Sequence, residues 1–352
     1  MRIGYSYWGF CEPFDRSHVV QTPDGFRYCR PLFVDELIRQ GHEVIALQSM
    51  REDTPYPGLQ YDDVGYPELD MVLVEWRWKT YKNSGPTKFE PDYDRQQQLL
   101  GHYHGRVPMV IWDLDLKLTA EDELEWSEAV IADASLRPAT LTRPRVVFTI
   151  WSDFKEILPV SAGSIEFGYV GNNYERREQL EKYYVEPSRR LRESGVQTKL
   201  WGNWLQRSPE RTSPEELISK YPYLALCDRV GLYESMQVLN KFITVVHITK
   251  DQYAAQGHIP ARYFESIAVR TPALVPSEHA YNDILGKKWC VSSPADVFDK
   301  VNYLKTCSAN DRLQIVLEQE LAMRKVRDFT VESSAKWCAE FAKDPSSTLK
   351  NC

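Results

Sequence analysis

Arg262 and Glu265 offer the clearest chemistry in this chain. They stand three residues apart in the run His258-Ile259-Pro260-Ala261-Arg262-Tyr263-Phe264-Glu265-Ser266-Ile267-Ala268. On a helix that spacing puts both side chains on one face. Pro260 sits just ahead of them, where a helix can begin. A helix N-terminus carrying an arginine suits a diphosphate. A carboxylate one turn further in can accept hydrogen bonds from a ribose diol. Together these are the requirements of the donor end of a nucleotide-sugar site. The same spacing also suits a surface ion pair on an ordinary amphipathic helix. The turn Arg270-Thr271-Pro272 then ends the helix and launches the buried strand Ala273-Leu274-Val275.

Other residues can join this pair. Gly171, Asn172 and Asn173 follow a strand and precede a helix. Glycine and asparagine there permit backbone conformations that aim N–H groups outward, and Arg176 or Arg177 can reach a phosphate. Turns before helices use the same residues without any ligand. Trp201 ends another strand beside Gly202 and Asn203, where an indole can stack on a base or fill a core. Lys250 and His258 flank the approach to Arg262, as candidate contacts to a diphosphate or sugar. In the N-terminal half, His18 and Asp24 are candidate acceptor or catalytic contacts, with helix N-capping as the other role for Asp24. Asp113 and Asp115 match the spacing of a metal-binding Asp-x-Asp pair. In this half of the chain Asp113 reads instead as an acceptor-side residue or general base, and no obligatory metal is expected. Glu75-Trp76-Arg77-Trp78 is a second acceptor-side cluster. Tyr5-Ser6-Tyr7-Trp8-Gly9-Phe10 lacks the Gly-x-Gly-x-x-Gly of a dinucleotide site.

Periodicity supplies the elements that must hold these residues. Strands are expected over 2–7, 43–48, 71–75, 107–112 and 145–150. Helices are expected around Leu32 to Ile38, over 93–101 and over Asp122 to Ala132. Pro159, Ser161, Gly163 and Ser164 interrupt the pattern, which places a boundary near 151–166. A second series follows. Strands are expected over 165–170, 198–201, 224–227 and 243–248, with helices over 177–192, 213–219 and 232–239. A loop leads from Lys250 to Arg262, and helices over 295–306, 311–326 and 332–342 close the chain. Strands alternating with helices indicate doubly wound parallel sheets. Two such halves imply a cleft between the carboxyl edges of their strands.

Composition agrees with two ordinary domains. Of 352 residues, 43% are hydrophobic and 26% charged, and the net charge of -7 argues against non-specific nucleic-acid binding by bulk electrostatics. Local basic clusters remain, at Arg137/Arg143/Arg145 and Arg189/Arg190/Arg192. The seven cysteines are scattered without a Cys-x-x-Cys pair. That fits reduced thiols and a cytoplasmic protein. No signal peptide and no apolar stretch long enough to span a membrane is visible.

The run Arg262-Tyr263-Phe264-Glu265-Ser266-Ile267-Ala268-Val269-Arg270-Thr271-Pro272 resembles the C-terminal motif Arg-x-Phe-Glu-x-x-Ala of GT-B glycosyltransferases, in particular spore-maturation-type and phage-encoded members. The commoner family pattern has another glutamate eight residues before Glu265, where this chain has Gly257. The resemblance implies two Rossmann-like domains facing across a cleft. Residues 1–155 would bind the acceptor and 165–325 the donor, while 326–352 would form a helix crossing back to the first domain. It implies transfer of a hexose or pentose from a nucleotide-diphosphate sugar, a UDP-sugar above others, to an acceptor hydroxyl, with retention of configuration. Glu265 would hold the ribose, Trp201 would lie beside the base, and Arg262, Lys250 and the 171–176 loop would face the diphosphate. The phage members add a hydroxylated pyrimidine in DNA to the acceptors considered. A nucleotide-sugar epimerase, or a non-catalytic nucleotide-sugar-binding protein of the same fold, are the alternatives.

Overall fold

The computed structural model describes residues 1–7, 25–47, 58–61, 65–76, 93–136, 145–151, 158–159, 161, 163–172, 176–202, 204, 218–279 and 287–350. They divide into two units. The first takes the described residues up to Ser152 and from Phe329 onward, and the second those from Asp153 to Asp328.

The first unit is built on seven parallel strands: β1 (Arg2–Ser6), β2 (Glu43–Ala46), β3 (Gln60–Tyr61), β4 (Met71–Glu75), β5 (Met109–Trp112), β6 (Val130–Asp133) and β7 (Val146–Val147). Their order across the sheet is β3-β2-β1-β4-β5-β6-β7. Strands covered on both faces read as continuous apolar runs, and Met71-Val72-Leu73-Val74 is one, every residue buried. Strand order reverses between β1 and β4. Here Arg30, on the helix Gly25–Arg39, donates from Nε and Nη2 to the two oxygens of Glu75 at 2.8 and 2.7 Å. The Tyr5 hydroxyl adds a 2.6 Å bond to the same carboxylate, and the Glu75 carbonyl accepts from Gln96 at 2.8 Å.

The chain's last described segment belongs to this unit. Trp151 N–H donates to the Phe329 carbonyl at 2.8 Å, and Val331 N–H to the Trp151 carbonyl at 3.0 Å. The helix Val331–Lys343 then packs on Gly25–Arg39, with Trp337 stacked on Phe341 and beside Phe148.

The second unit carries β8 (Glu166–Val170), β9 (Gln197–Trp201) and β10 (Ala225–Cys227) in one parallel set, and β11 (Val245–Val246), β12 (Ala273–Pro276) and β13 (Cys290–Val291) in another. A bridge between Glu166 and Phe242, with Ile243 N–H donating to the Glu166 carbonyl at 2.7 Å, joins the two sets. The resulting order is β10-β9-β8-β11-β12-β13, which again reverses in the middle.

Several elements differ from expectation. The helix expected over Asp122–Ala132 stops at Glu125. Thr119 starts it with a capping box, and the β-branched run from Val130 becomes β6, paired with β5. The strand expected over 145–150 is reduced to Val146–Val147, and that over 243–248 to Val245–Val246. The loop expected between Lys250 and Arg262 contains the helix Asp251–Gln256, ended by Gly257 at φ 64°. The helix expected over 177–192 is interrupted by a π turn at Glu181–Val185. Most of the helix expected over 213–219 lies outside the described residues.

Arg30 and Glu75 are 2% and 0% exposed, so the first unit depends on neither charge losing its partner. Arg30→Met is expected to cost about 3–5 kcal/mol, the usual penalty for stranding a buried charge. Denaturant unfolding should show a lower midpoint than that of the wild-type chain.

Candidate functional site

Ligands of open α/β sheets bind outside the carboxyl ends of the strands, where strand order reverses. In the second unit that point lies between β8 and β11. The two strands pair at their beginnings and not at their ends. Further along, the Tyr184 hydroxyl accepts from Val246 N–H at 2.8 Å and donates to the Val246 carbonyl at 2.6 Å. One side chain thus satisfies both backbone groups that β11 turns toward β8. Tyr184 comes from the π turn and stacks on Phe167 of β8 at 4.9 Å. Burial holds its phenol protonated, well above the usual tyrosine range.

Loops after β8 and β9 meet beside this gap. Gly171 N–H donates to the Trp201 carbonyl at 3.0 Å. Gly202 has φ 128°, and a Cβ there would collide with the Gly171 carbonyl. A Cβ on Gly171 would strike the Tyr169 ring. Both positions therefore require glycine. Arg176 donates from Nη1 to the Tyr169 hydroxyl at 3.0 Å, and its buried Nε has no acceptor among the described residues. Trp201 is half-buried, and its indole N–H also lacks an acceptor there. Asn172 is described; Asn173 lies outside the described residues.

The helix Ala261–Ala268 leads into β12, so its N-terminus opens at the carboxyl edge of the sheet. Pro260 is its N-cap and supplies no side-chain cap. Arg262 Nη1 lies 2.5 Å from Glu265 Oε2, with Glu265 buried and Arg262 partly exposed. Lys250 caps the helix Asp251–Gln256, and its ammonium lies 5.5 Å from the centre of the Tyr253 ring. His258 is buried, with its ring 4.7 Å from that of Tyr253. The structure thus brings Gly171, Asn172, Arg176, Trp201, Lys250, His258, Arg262 and Glu265 into loops and a helix start at one edge of one unit.

Six further residues were not singled out from sequence. Gln179 Oε1 accepts from Thr249 N–H at 3.0 Å and lies 3.2 Å from His279 Nε2. Gln179 Nε2 donates to Asp251 at 3.3 Å. His247 Nε2 lies 3.2 Å from the Ser266 hydroxyl. Burial lowers His279 to about 4, and burial with the nearby His279 and Arg262 charges lowers His247 to about 3. The available signal was polar residues alternating, as His247 and Thr249, along a strand that is otherwise apolar.

His18 and Asp24 lie outside the described residues, as do Arg77 and Trp78. Asp113 follows β5 and is 1% exposed. Its oxygens accept from the backbone N–H groups of Lys117 and Leu118 at 2.8 and 3.0 Å, and Arg145 Nη1 lies 3.2 Å away. The same guanidinium lies 2.9 Å from Asp133 and 3.1 Å from Glu123. This is a buried structural cluster, which differs from the acceptor-side contact or base expected for Asp113. It also withdraws Arg145 from the basic patch expected with Arg137 and Arg143. Glu75 is likewise taken up by Arg30 and Trp76 by the core, which differs from an acceptor-side cluster. Among the described residues, no group of three or more His, Cys, Asp or Glu side chains is placed to hold a metal ion.

With this geometry in hand, comparison with solved structures is informative. The beta-glucosyltransferase of T4 phage matches over 99% of each chain, at 14% identity and a TM-score of 0.58. Sucrose-phosphate synthase from Thermosynechococcus elongatus matches over 99% of each chain, at 11% identity and a TM-score of 0.64. The chain has the GT-B fold. A glycosyltransferase of avilamycin A biosynthesis also matches, over 96% of this chain and 98% of its own, at 13% identity and a TM-score of 0.55. The T4 phage enzyme has been seen with UDP-glucose and, separately, with UDP and Mn2+. No protein-family model matches the sequence, and no curated protein matches it.

Asp113 gives this GT-B chain a pH signature. Burial raises its carboxyl to about 6, against an ordinary value of 3.8. The folded state therefore holds a proton that the unfolded state releases more readily. That contribution to stability is complete below about 3.8 and is lost as pH rises through about 6. Asp113→Asn should flatten this part of the profile, which melting curves between those two values would read.

Proposed function

We propose that this chain is a glycosyltransferase that takes its sugar from a nucleotide-diphosphate sugar, a UDP-sugar above others, and passes it to an acceptor hydroxyl. The observation that carries the reading is Arg262 and Glu265 on a helix whose start opens at the reversal point of the second sheet. The neighbours of the same fold that bind UDP-glucose support the choice of donor.

On this reading the second unit is the donor domain and the first the acceptor domain. The buried Glu265 accepts from the ribose hydroxyls. Its ion pair with Arg262 fixes its rotamer. Arg262, Lys250, Arg176 and the 171–176 loop face the diphosphate, and His258 lies along the same approach. Trp201 lies beside the base. As the bond to the anomeric carbon breaks, negative charge grows on the leaving diphosphate. Cations and N–H dipoles already in place then stabilise the transition state more than the ground state. Transfer proceeds with retention of configuration and without an obligatory protein base. Inversion would need one near the acceptor oxygen, from His18, Asp24 or Asp113, and the last is already engaged by Arg145.

The acceptor we favour is a hydroxylated pyrimidine in DNA. Support comes from the T4 phage neighbour, described as a DNA-modifying enzyme. On this chain Arg192 is exposed, while its neighbours Arg189 and Arg190 engage Glu193 and the Phe298 ring.

A thermal-shift series with UDP, GDP, ADP, CDP and dTDP tests the donor. UDP at a hundredfold excess over its Kd should stabilise the protein by about 2.7 kcal/mol. Glu265→Ala should weaken UDP binding by roughly 1.5–3 kcal/mol, the contribution of a charge-assisted hydrogen bond. Wild-type affinity in that variant would sink the role given to Glu265. Donor consumption without any acceptor would indicate an epimerase, and binding without turnover a binding protein. Binding to a duplex with hydroxymethylated pyrimidines should weaken steeply as salt rises. Transfer that ignores such a duplex but accepts a small alcohol would exclude DNA.

A further inference from the structure

Two side chains at the reversal point each keep one polar atom unpaired. His247 and Thr249 sit two residues apart, just beyond β11, and are 1% and 0% exposed. His247 Nδ1 and Thr249 Oγ1 are both buried and neither meets a hydrogen-bond partner among the described residues. Leaving a buried polar atom unpaired destabilises the folded chain. Two of them at one end of a strand imply a group that arrives later.

The protonation of His247 follows from its neighbour. The Ser266 hydroxyl donates to the Tyr263 carbonyl at 2.8 Å, so its proton is already committed. Its contact with His247 Nε2 at 3.2 Å must then run the other way, from Nε2–H to the serine oxygen. The ring is neutral, because burial and Arg262 oppose a second proton. Nδ1 therefore carries a bare lone pair. It can accept a hydrogen bond and cannot give one. Thr249 Oγ1 can do either.

The Nδ1 lone pair opposes an anion. A phosphate or carboxylate oxygen would face the Nδ1 lone pair with no proton between them. A hydroxyl fits: it donates to Nδ1 and accepts from Thr249. Ser266, which orients the imidazole, is the residue after Glu265 on the same helix, which ties the pair to the donor site.

We propose that His247 Nδ1 and Thr249 Oγ1 form a subsite for a hydroxyl group of the bound nucleotide sugar. The inference rests on the donor reading above. The hydroxyl belongs either to the ribose or to the transferred sugar.

Thr249→Val tests it, because valine keeps the shape and removes only the orphaned hydroxyl. Calorimetric titration of wild type and variant with UDP and with UDP-glucose is paired with melting of the free proteins. Free Thr249→Val should melt at or above the wild-type temperature, since it loses an unpaired polar group. Its affinity for UDP-glucose should fall by about three- to tenfold, the range of one neutral hydrogen bond. A parallel fall for UDP assigns the hydroxyl to the ribose, and a fall for UDP-glucose alone assigns it to the transferred sugar. Wild-type affinity for both ligands in the variant overturns the subsite and leaves the donor reading intact. A lower melting temperature of the free variant also overturns it, by showing that the hydroxyl already has a partner, such as a buried water. Failure of the wild-type chain to bind either ligand defeats the donor reading itself.

Discussion

One phenol oxygen lies at the centre of the second unit. Tyr184 gives a hydrogen bond to the Val246 carbonyl and takes one from the Val246 N–H. Without it, the Val246 N–H would be left buried and unpaired, its carbonyl keeping only the 3.1 Å bond from Ile248 N–H, or β11 would have to close against β8 along its length. Closing the strands would remove the gap at the reversal point. The lone phenol is therefore the condition for having both a sheet and an opening in it. The same residue explains the shortness of β11, since the strand ends where ordinary ladder bonding ends.

Both units bury polar groups at the carboxyl edge of their sheets. In the first, charges at the carboxyl edge of the sheet are consumed internally: Arg30 with Glu75, and Arg145 with Asp113, Glu123 and Asp133. Removing one partner from either set strands another in a low-dielectric interior. Polar atoms without a partner among the described residues lie at this edge in both units, Ser6 Oγ, Trp76 Nε1 and Ser135 Oγ in the first and three more in the second. Arg176 Nε, His247 Nδ1 and Thr249 Oγ1 have no acceptor or donor among the described residues.

Much of the parallel-strand framework was legible in the sequence, because doubly buried strands announce themselves as apolar runs such as Met71 to Val74. The starts of helices were legible where Pro or Ser/Thr caps stood, as at Pro260. What could not be read was decided between distant residues. Val130 to Asp133 has no local reason to leave a helical pattern until β5 offers an edge to pair with. Asp113 looks like a reactive carboxylate until Arg145, 32 positions later, closes on it. Val245 to Ile248 reads as a longer strand until Tyr184 intervenes. For the site, residue types identified Arg262 and Glu265. His247 and Thr249 were hidden because a histidine and a threonine at a strand end are unremarkable until their partners can be counted.

The π turn at Glu181–Val185 accommodates one residue more than an α-helix would use over the same rise. A deletion of one residue here would yield a more regular helix. It would also turn everything downstream of the cut by about 100° relative to everything before it. Tyr184 would then leave the edge of Val246, and the face of the following segment that meets Pro294–Thr306 would turn away from it. Length variation is thus tolerable in this crossover only outside these five residues. Any relative that retains the opening at this strand reversal should carry the same extra residue, or a different hydroxyl that arrives by another route.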